Sequence, residues 1–474
     1  MSDEERRRLL DVAARHADEY LTAVKTRHVA ARATAEEMRS AFDTPLSNEG
    51  DDPAAILRSL ADHAERGHTL SSSPRFFGFV IGGTFPVAIG ADWLTAAWDQ
   101  NAGLFVLSPL TSVIEEVTAR WVCDLLGLPA ESSVGFVTGC QMANFTGLAA
   151  ARHAVLRRVG WNVEEKGLIG APPIRVITGG ESHVTIFAAL RMLGLGATTL
   201  VAEADDQGRM KADALQRVLA AGEGPAIVCA QAGNVNTGSF DPLRRICEIG
   251  HEHGAWVHVD GAFGLWAAAS PAYRRLVEGV ELAESWATDA HKWLNVPQDS
   301  GIVIVRDSAA HRASMTSNAA YLQRTDDSVR DEVDWVPEFS RRARAFPVYA
   351  TLRALGRRGV AELVESCCSH TRRMVEILAR DPRVEVLCDV VLNQALLRFK
   401  VEGRDPDDLT RRVIARIQAD GTSWFGGTIW QGKGAMRISV INWSTTDRDI
   451  DVSASAVLDA LNAVLGAAGP RDSG

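Results

Sequence analysis

Residues 256–264 read WVHVDGAFG and residues 285–293 read SWATDAHKW. Each begins as a short apolar, β-branched or aromatic run and breaks off in a charged or small residue. This is how a strand of a sheet covered on both faces ends. Working outward from these two, short runs of the same kind recur at 135–138, 175–178, 198–202, 226–230 and 301–305, alternating with helical patterns. Seven strands interleaved with helices predict an α/β fold with a mostly parallel sheet. In such sheets ligands gather outside the carboxyl ends of the strands, so the residues closing each run are where chemistry is expected.

The flanks read differently. Residues 4–40 form one or two amphipathic helices with Leu9, Leu10, Val12, Ala13 and Leu21 on one side. After residue 345 long helices at 346–367 and 406–418 mix with strand-like pieces at 390–399 and 436–440. The expected division is an N-terminal helical segment (1–100), a large domain (101–345) and a small C-terminal α+β domain (346–474). The polar stretch 314–337, with Asp326-Asp327 and Arg330-Asp331-Glu332, reads as a mobile loop.

The 474 residues are 46% hydrophobic and 23% charged, the proportions of an ordinary globular chain. A net charge of -10 without a sustained basic run argues against nucleic acid. No uninterrupted apolar run approaches the roughly 20 residues of a membrane span, and the charged N-terminus is unlike a secretion signal. Seven scattered cysteines without CxxC spacing indicate neither a disulfide framework nor a metal site. The expectation is a cytoplasmic protein with no nucleic-acid or membrane partner.

Lys292, in His291-Lys292-Trp293, follows a strand end, where partial desolvation lowers an amine's pKa and frees it to form an imine with a carbonyl. Alone it reads rather as a solvated loop lysine. Asp260 changes the balance: a carboxylate ending an apolar strand requires a charged partner, and the protonated ring nitrogen of pyridoxal phosphate is one. The third element, TGCQMANFTGLAAAR (138–152), is a strand end, a glycine turn and an alanine-rich helix. Its first N–H groups, at Gly139, Cys140 and Gln141, suit a phosphate. His183, after the second strand, stands where an imidazole can lie on a cofactor ring, or else caps a helix.

In this order, and with SPRFFGF (73–79), GNVNTGSFDP (233–242) and WVPEFSRRAR (335–344), these segments resemble the group II pyridoxal-phosphate-dependent amino-acid decarboxylases, the family of aromatic-amino-acid, glutamate and histidine decarboxylases. The resemblance implies the aspartate-aminotransferase-like fold type I, with a seven-stranded sheet in the large domain. It implies pyridoxal 5'-phosphate as cofactor, a small amino-acid substrate, and a homodimer with the site at the subunit interface and the N-terminal helices wrapping the partner. It further implies Lys292 as the Schiff-base lysine, Asp260 against the ring nitrogen, His183 stacked on the ring and Ala262 packed beneath it. Asn234 falls among the cofactor contacts, and His291 helps to hold the phosphate. Arg437, in GAMRIS (434–439), matches either a substrate-carboxylate arginine or a structural ion-pair residue. Phe79 and Phe105, with Phe77 and Trp98, fall in segments bordering the substrate pocket and lean toward an aromatic or apolar side chain.

One departure matters. The family generally carries a loop tyrosine shortly before the W-x-x-P segment, used to protonate the α-carbon. Here the stretch reads RDEVDW (330–335), and Tyr321 matches an earlier family tyrosine. Glu332 or water is then the candidate acid. Beside decarboxylation to the amine and carbon dioxide, the alternatives are an aldehyde synthase acting by oxidative deamination, a lyase or aminotransferase on the same scaffold, and a glutamate-type decarboxylase of acidic substrates. A catalytically silent scaffold is a further reading that the Lys292, Asp260 and His183 set argues against.

Overall fold

The computed structural model describes residues 1–316 and 329–466. The chain divides into two compact units, one of 82–372 with 387–396 and one of 1–81 with 373–386 and 397–474.

The larger unit is built on seven strands: β1 (Ser133–Val137), β2 (Arg175–Gly179), β3 (Leu200–Ala202), β4 (Ala226–Gln231), β5 (Trp256–Asp260), β6 (Ser285–Asp289) and β7 (Gly301–Val305). Their order is β1-β7-β6-β5-β4-β2-β3. Pairing is parallel from β6 through β5, β4 and β2 to β3, and antiparallel wherever β7 is a partner. All seven strands stand where the apolar runs predict them. The central strands β4, β5, β6 and β7 are buried at every position, which explains why they read as continuous rather than alternating runs.

The chain opens with helices α1 (Asp3–Ala23), α2 (Ala35–Phe42) and α3 (Pro53–Gly67), the first two with capping boxes at Ser2 and Thr34. The larger unit then contributes α4 (Pro86–Trp98), α5 (Pro109–Leu126) and α6 (Cys140–Arg158), the last packing across β5, β6 and β7. Most of α6 is buried, including Leu148, Ala149, Ala150 and Leu156. Its alanines let the helix lie close on the sheet. After a single turn α7 (Val163–Lys166) comes α8 (Val184–Met192), whose start follows the end of β2.

In the smaller unit Val24, Val29, Leu70 and Phe76 form a core, with Trp424 stacked on Phe76 at 4.9 Å between ring centres. A four-stranded sheet runs β10-β11-β9-β8, from β8 (Val384–Val386), β9 (Gln394–Phe399), β10 (Gly426–Trp430) and β11 (Lys433–Ser439). The apolar texture at 390–399 and 436–440 marks β9 and β11. It misses β8, which is three residues long, and β10, whose glycines carry no β signal.

The stretch expected to be a polar loop is corrected in its described part. Glu332–Asp334 form a 3-10 turn with all three residues buried. Their charges are directed inward: Asp334 pairs with Arg312 at 3.0 Å, and Asp331 accepts the Phe105 N–H at 2.8 Å. Tyr321 and Asp326-Asp327 lie outside the described residues.

Candidate active site

β5 and β6 are neighbours, with Asp260 opposite Ala287, so their closing carboxylates Asp260 and Asp289 emerge at the same edge of the sheet. Asp289 is 2% exposed. Its Oδ1 accepts the backbone N–H of Cys140 at 2.6 Å, and its Oδ2 lies 2.8 Å from Lys292 Nζ. The Asp289 N–H in turn donates to the Ala262 carbonyl. Cys140 therefore joins the two carboxylates: its N–H binds Asp289, and its Sγ lies 3.5 Å from Asp260 Oδ1. Burial first, then the Asp260 and Asp289 carboxylates, push this thiol well above its ordinary range. Cys140 is a buried thiol donor rather than a nucleophile.

Asp260 is 4% exposed. Its Oδ1 also accepts the Ala262 N–H at 3.2 Å and its Oδ2 accepts Asn144 Nδ2 at 3.2 Å. Among the described residues every hydrogen bond it receives comes from a neutral donor. A buried carboxylate without a cation of its own is costly, and a cationic ring nitrogen would supply the missing charge. With the amine of Lys292 and the start of α6 joined to it through Cys140 and Asp289, the site fits pyridoxal phosphate.

The expectation of a depressed lysine is corrected. Burial, the largest single influence, pushes the Lys292 ammonium down, but its acidic neighbours together, Asp289 foremost with Cys140 and Asp260, hold the group above the ordinary lysine value. Asp289 is the residue the sequence reading passed over. Its signal was present in DAHKW itself, an acid three residues before the lysine at the end of a strand buried on both faces.

His183 caps α8, its side chain accepting from the Thr185 N–H, and its Nδ1 lies 2.8 Å from Thr185 Oγ1. The same hydroxyl accepts from Asn144 Nδ2 at 3.5 Å, which ties His183 to the Asp260 group. His291 Nδ1 accepts the Ser300 N–H, and its Nε2 is 3.6 Å from Asp289 Oδ2. Burial lowers its pKa, with Asp289 opposing. Gly139 is the residue before α6, and a Cβ on it would meet His291 Cε1 at 3.5 Å and Asp289 Oδ1 at 3.6 Å. Gln141 follows in the first turn with its side chain exposed. Asn234, 1% exposed, is engaged in its own turn: Oδ1 accepts from Asn236 and Thr237, and Nδ2 donates to the Glu181 carbonyl.

Glu332 is placed elsewhere in this unit. It is fully buried rather than the solvated loop charge its surroundings suggest. Burial and the nearby Glu115 carboxylate push it up to about 7, with Arg330 opposing. Phe105 is half-buried and is held at its N–H by Asp331. Phe79 and Arg437 belong to the smaller unit, where Arg437 Nη2 donates to the Phe79 carbonyl at 3.0 Å. Phe79 is 59% exposed and stacks on Trp424. Phe77 is core, stacked on Phe425. Among the described residues Arg437 has no carboxylate partner, so an ion pair does not account for it, and burial lowers its pKa to about 10.

The profile of the pyridoxal-dependent decarboxylase conserved domain matches residues 35–401, and the chain belongs to this family of pyridoxal-phosphate-dependent amino-acid decarboxylases. It is 24% identical over 462 residues to an aromatic-L-amino-acid decarboxylase of Bacillus atrophaeus, covering 95% of this chain and 94% of the relative. It is 25% identical over 393 residues to a phenylacetaldehyde synthase of Arabidopsis thaliana, covering 79% of each. In structure it superposes on Oryza sativa TDC, solved with PLP and tryptamine, with a TM-score of 0.91 and 22% identity, covering 98% of this chain and 99% of the other. No helix among the described residues is long and apolar enough to cross a membrane.

Proposed function

We propose that this decarboxylase acts on an L-amino acid with an aromatic or apolar side chain, releasing the amine and carbon dioxide. The observation that supports the substrate class is the likeness over 95% of the chain to an aromatic-L-amino-acid decarboxylase, together with the exposed aromatic ring of Phe79 in the smaller unit. Aromatic faces suit flat apolar groups, and the aromatic-amino-acid relative points the same way.

In this reading Lys292 would hold the cofactor through its aldehyde, Asp260 would answer its ring nitrogen, and His183 and Ala262 would pack on its ring. The first N–H groups of α6, at Gly139, Cys140 and Gln141, with His291, would hold the phosphate. The bound cofactor supplies the electron sink that takes the pair from the broken bond between Cα and the carboxylate. Asp289 holds a proton at Lys292 Nζ whenever that amine is free, since the ion pair favours the ammonium form. Restoring a proton to Cα completes the reaction.

A second reading, oxidative decarboxylation to an aldehyde with release of ammonia and consumption of oxygen to peroxide, is favoured by one observation. Glu332, in the stretch where the family carries its tyrosine, faces a buried cluster. Arg437 also keeps an acidic substrate in play. A panel of L-amino acids, including tryptophan, tyrosine, phenylalanine, leucine, glutamate and aspartate, tests these readings by product analysis. An aromatic or aliphatic amine with one equivalent of carbon dioxide is the expected result. Turnover of glutamate or aspartate alone overturns the substrate class, and peroxide with aldehyde selects the second reaction.

We further infer a homodimer in the cytoplasm. Val87, Trp93, Leu94 and Trp98 of α4 and Leu110 and Val113 of α5 are all exposed apolar side chains, a face suited to a second copy of the chain. The seven cysteines are free, as in a reducing compartment.

A further inference from the structure

Behind Asp260 lies a line of side chains that touches, of the groups assigned to the cofactor, only Asp260, and that also reaches Thr185, the partner of His183. Trp256 Nε1 lies 2.8 Å from Ser285 Oγ, Ser285 Oγ 2.8 Å from His258 Nδ1, and His258 Nε2 2.9 Å from Asn144 Oδ1. Asn144 Nδ2 lies 3.2 Å from Asp260 Oδ2. Every member is buried: Trp256 1% exposed, the others between 0% and 4%.

The direction of every hydrogen in this line follows from its two ends. A carboxylate only accepts, so Asn144 must turn its amide nitrogen to Asp260 and its oxygen to His258. The His258 Nε2 must then carry the proton, leaving Nδ1 to accept from the Ser285 hydroxyl. That hydroxyl's oxygen is left to accept from Trp256, whose indole can only donate. Each group donates toward Asp260 and no polar atom in the line is wasted. The imidazole must be neutral for this, and burial pushes it down to about 4.

Three features of the fold assemble the line. Parallel pairing of β5 with β6 sets His258 opposite Ser285. Period-two alternation puts Trp256, His258 and Asp260 on one face of β5. Gly147 brings α6 close enough for Asn144 to reach, since a Cβ there would meet the His258 ring at 2.9 Å.

We propose that Asn144 and His258 are positioning residues that, with Ser285 and Trp256 behind them, hold the Asp260 carboxylate as an oriented acceptor for the cofactor's ring nitrogen. Asn144 extends the same hold to His183, because its amide also reaches Thr185 Oγ1, which His183 Nδ1 contacts. The inference rests on Asp260 being the partner of the ring nitrogen, and the test separates the two.

The test compares the affinity of the apoenzyme for pyridoxal phosphate with its affinity for the deaza analogue, which carries a carbon in place of the ring nitrogen. Both are titrated by quenching of tryptophan fluorescence. The wild type should favour pyridoxal phosphate by about tenfold or more, the size of a charge-assisted hydrogen bond. Asn144→Leu and His258→Leu should bring the ratio to within about threefold of unity. His258→Gln keeps a donor toward Asn144 and an acceptor toward Ser285 and should retain most of the ratio, while Ser285→Ala should lower it by a smaller factor.

A variant that weakens both ligands equally, leaving the ratio at the wild-type value, would show that the line only packs the core and overturns the proposal. If a leucine variant does not fold, Ser285→Ala against His258→Gln decides: equal ratios overturn the proposal and a lower ratio for Ser285→Ala supports it. A wild type that binds both ligands equally would instead overturn the role of Asp260, and the inference with it.

Discussion

Asp260, Asp289 and Lys292 at the carboxyl ends of β5 and β6, and Glu115, Arg330, Arg341 and Glu332 around α5, are both buried charge groups of the larger unit. In the second group, cations of the chain answer anions of the chain. Arg341 Nη2 lies 2.6 Å from Glu115 Oε1, and Arg330 Nη2 lies 3.4 Å from Glu115 Oε2. In the first group Lys292 is answered by Asp289, but Asp260 receives only neutral donors. Buried charge marks both places. What separates a site from a structural knot is a carboxylate held in orientation whose countercharge comes from outside the chain.

The largest effect that sharpens this contrast is on Lys292. Lys292→Ala should lower turnover by a factor on the order of 10³ or more and abolish the pyridoxyl adduct that borohydride leaves on the wild type. An adduct at the same yield on another lysine, found by peptide mass spectrometry, breaks the assignment.

The Glu115 group should behave in the opposite way. Glu115→Gln leaves Arg341, almost wholly buried, without its anion, and should cost about 3–5 kcal/mol in urea unfolding. Turnover per folded molecule should be retained. A loss under about 1 kcal/mol would mean that solvent reaches the pair and that the contrast with Asp260 is weaker than drawn.

Glu332 adds a pH dependence. Its folded pKa is raised from an ordinary 4.5 to about 7, so the folded chain holds the proton more tightly than the unfolded one. That contribution to stability is fully present below about pH 4.5 and is lost as the pH rises through about 7. Glu332→Gln, which mimics the protonated form, should therefore be neutral at pH 4.5 and stabilising by about 1–3 kcal/mol at pH 8. Denaturant midpoints across pH measure this, and a Glu332→Gln curve parallel to the wild type would contradict it. Product identity should not change.

The smallest effect concerns Gly147. Alanine is the better helix former by about 1 kcal/mol, yet here its Cβ would press on the His258 ring, so Gly147→Ala should destabilise by about 1–3 kcal/mol. Thermal unfolding reports the sign, and a stabilised variant would mean that α6 can lift from β5 at no cost.

The seven strands, the lysine and the aspartate were legible because a strand buried on both faces writes itself as an unbroken apolar run, and because a charge ending such a run is conspicuous. Asp289 was legible in principle, three residues from Lys292, but the sequence offers no way to see that both sit at the same edge as the first turn of α6. Glu332 was placed in a mobile loop because 330–334 is as polar as any loop. Polarity of a segment does not tell whether its charges meet water or one another.

The sequence by itself determined the class of fold, the family and the residues most able to carry imine chemistry, since these depend on periodicity and on residue types at strand ends. Only the tertiary structure decided which donors answer Asp260, that the anions around Lys292, Asp289 foremost, together outweigh its burial, and that Glu332 lies near Glu115. Those outcomes depend on distances of a few ångströms between elements far apart in the chain, set by strand register and by how closely α6 lies on the sheet.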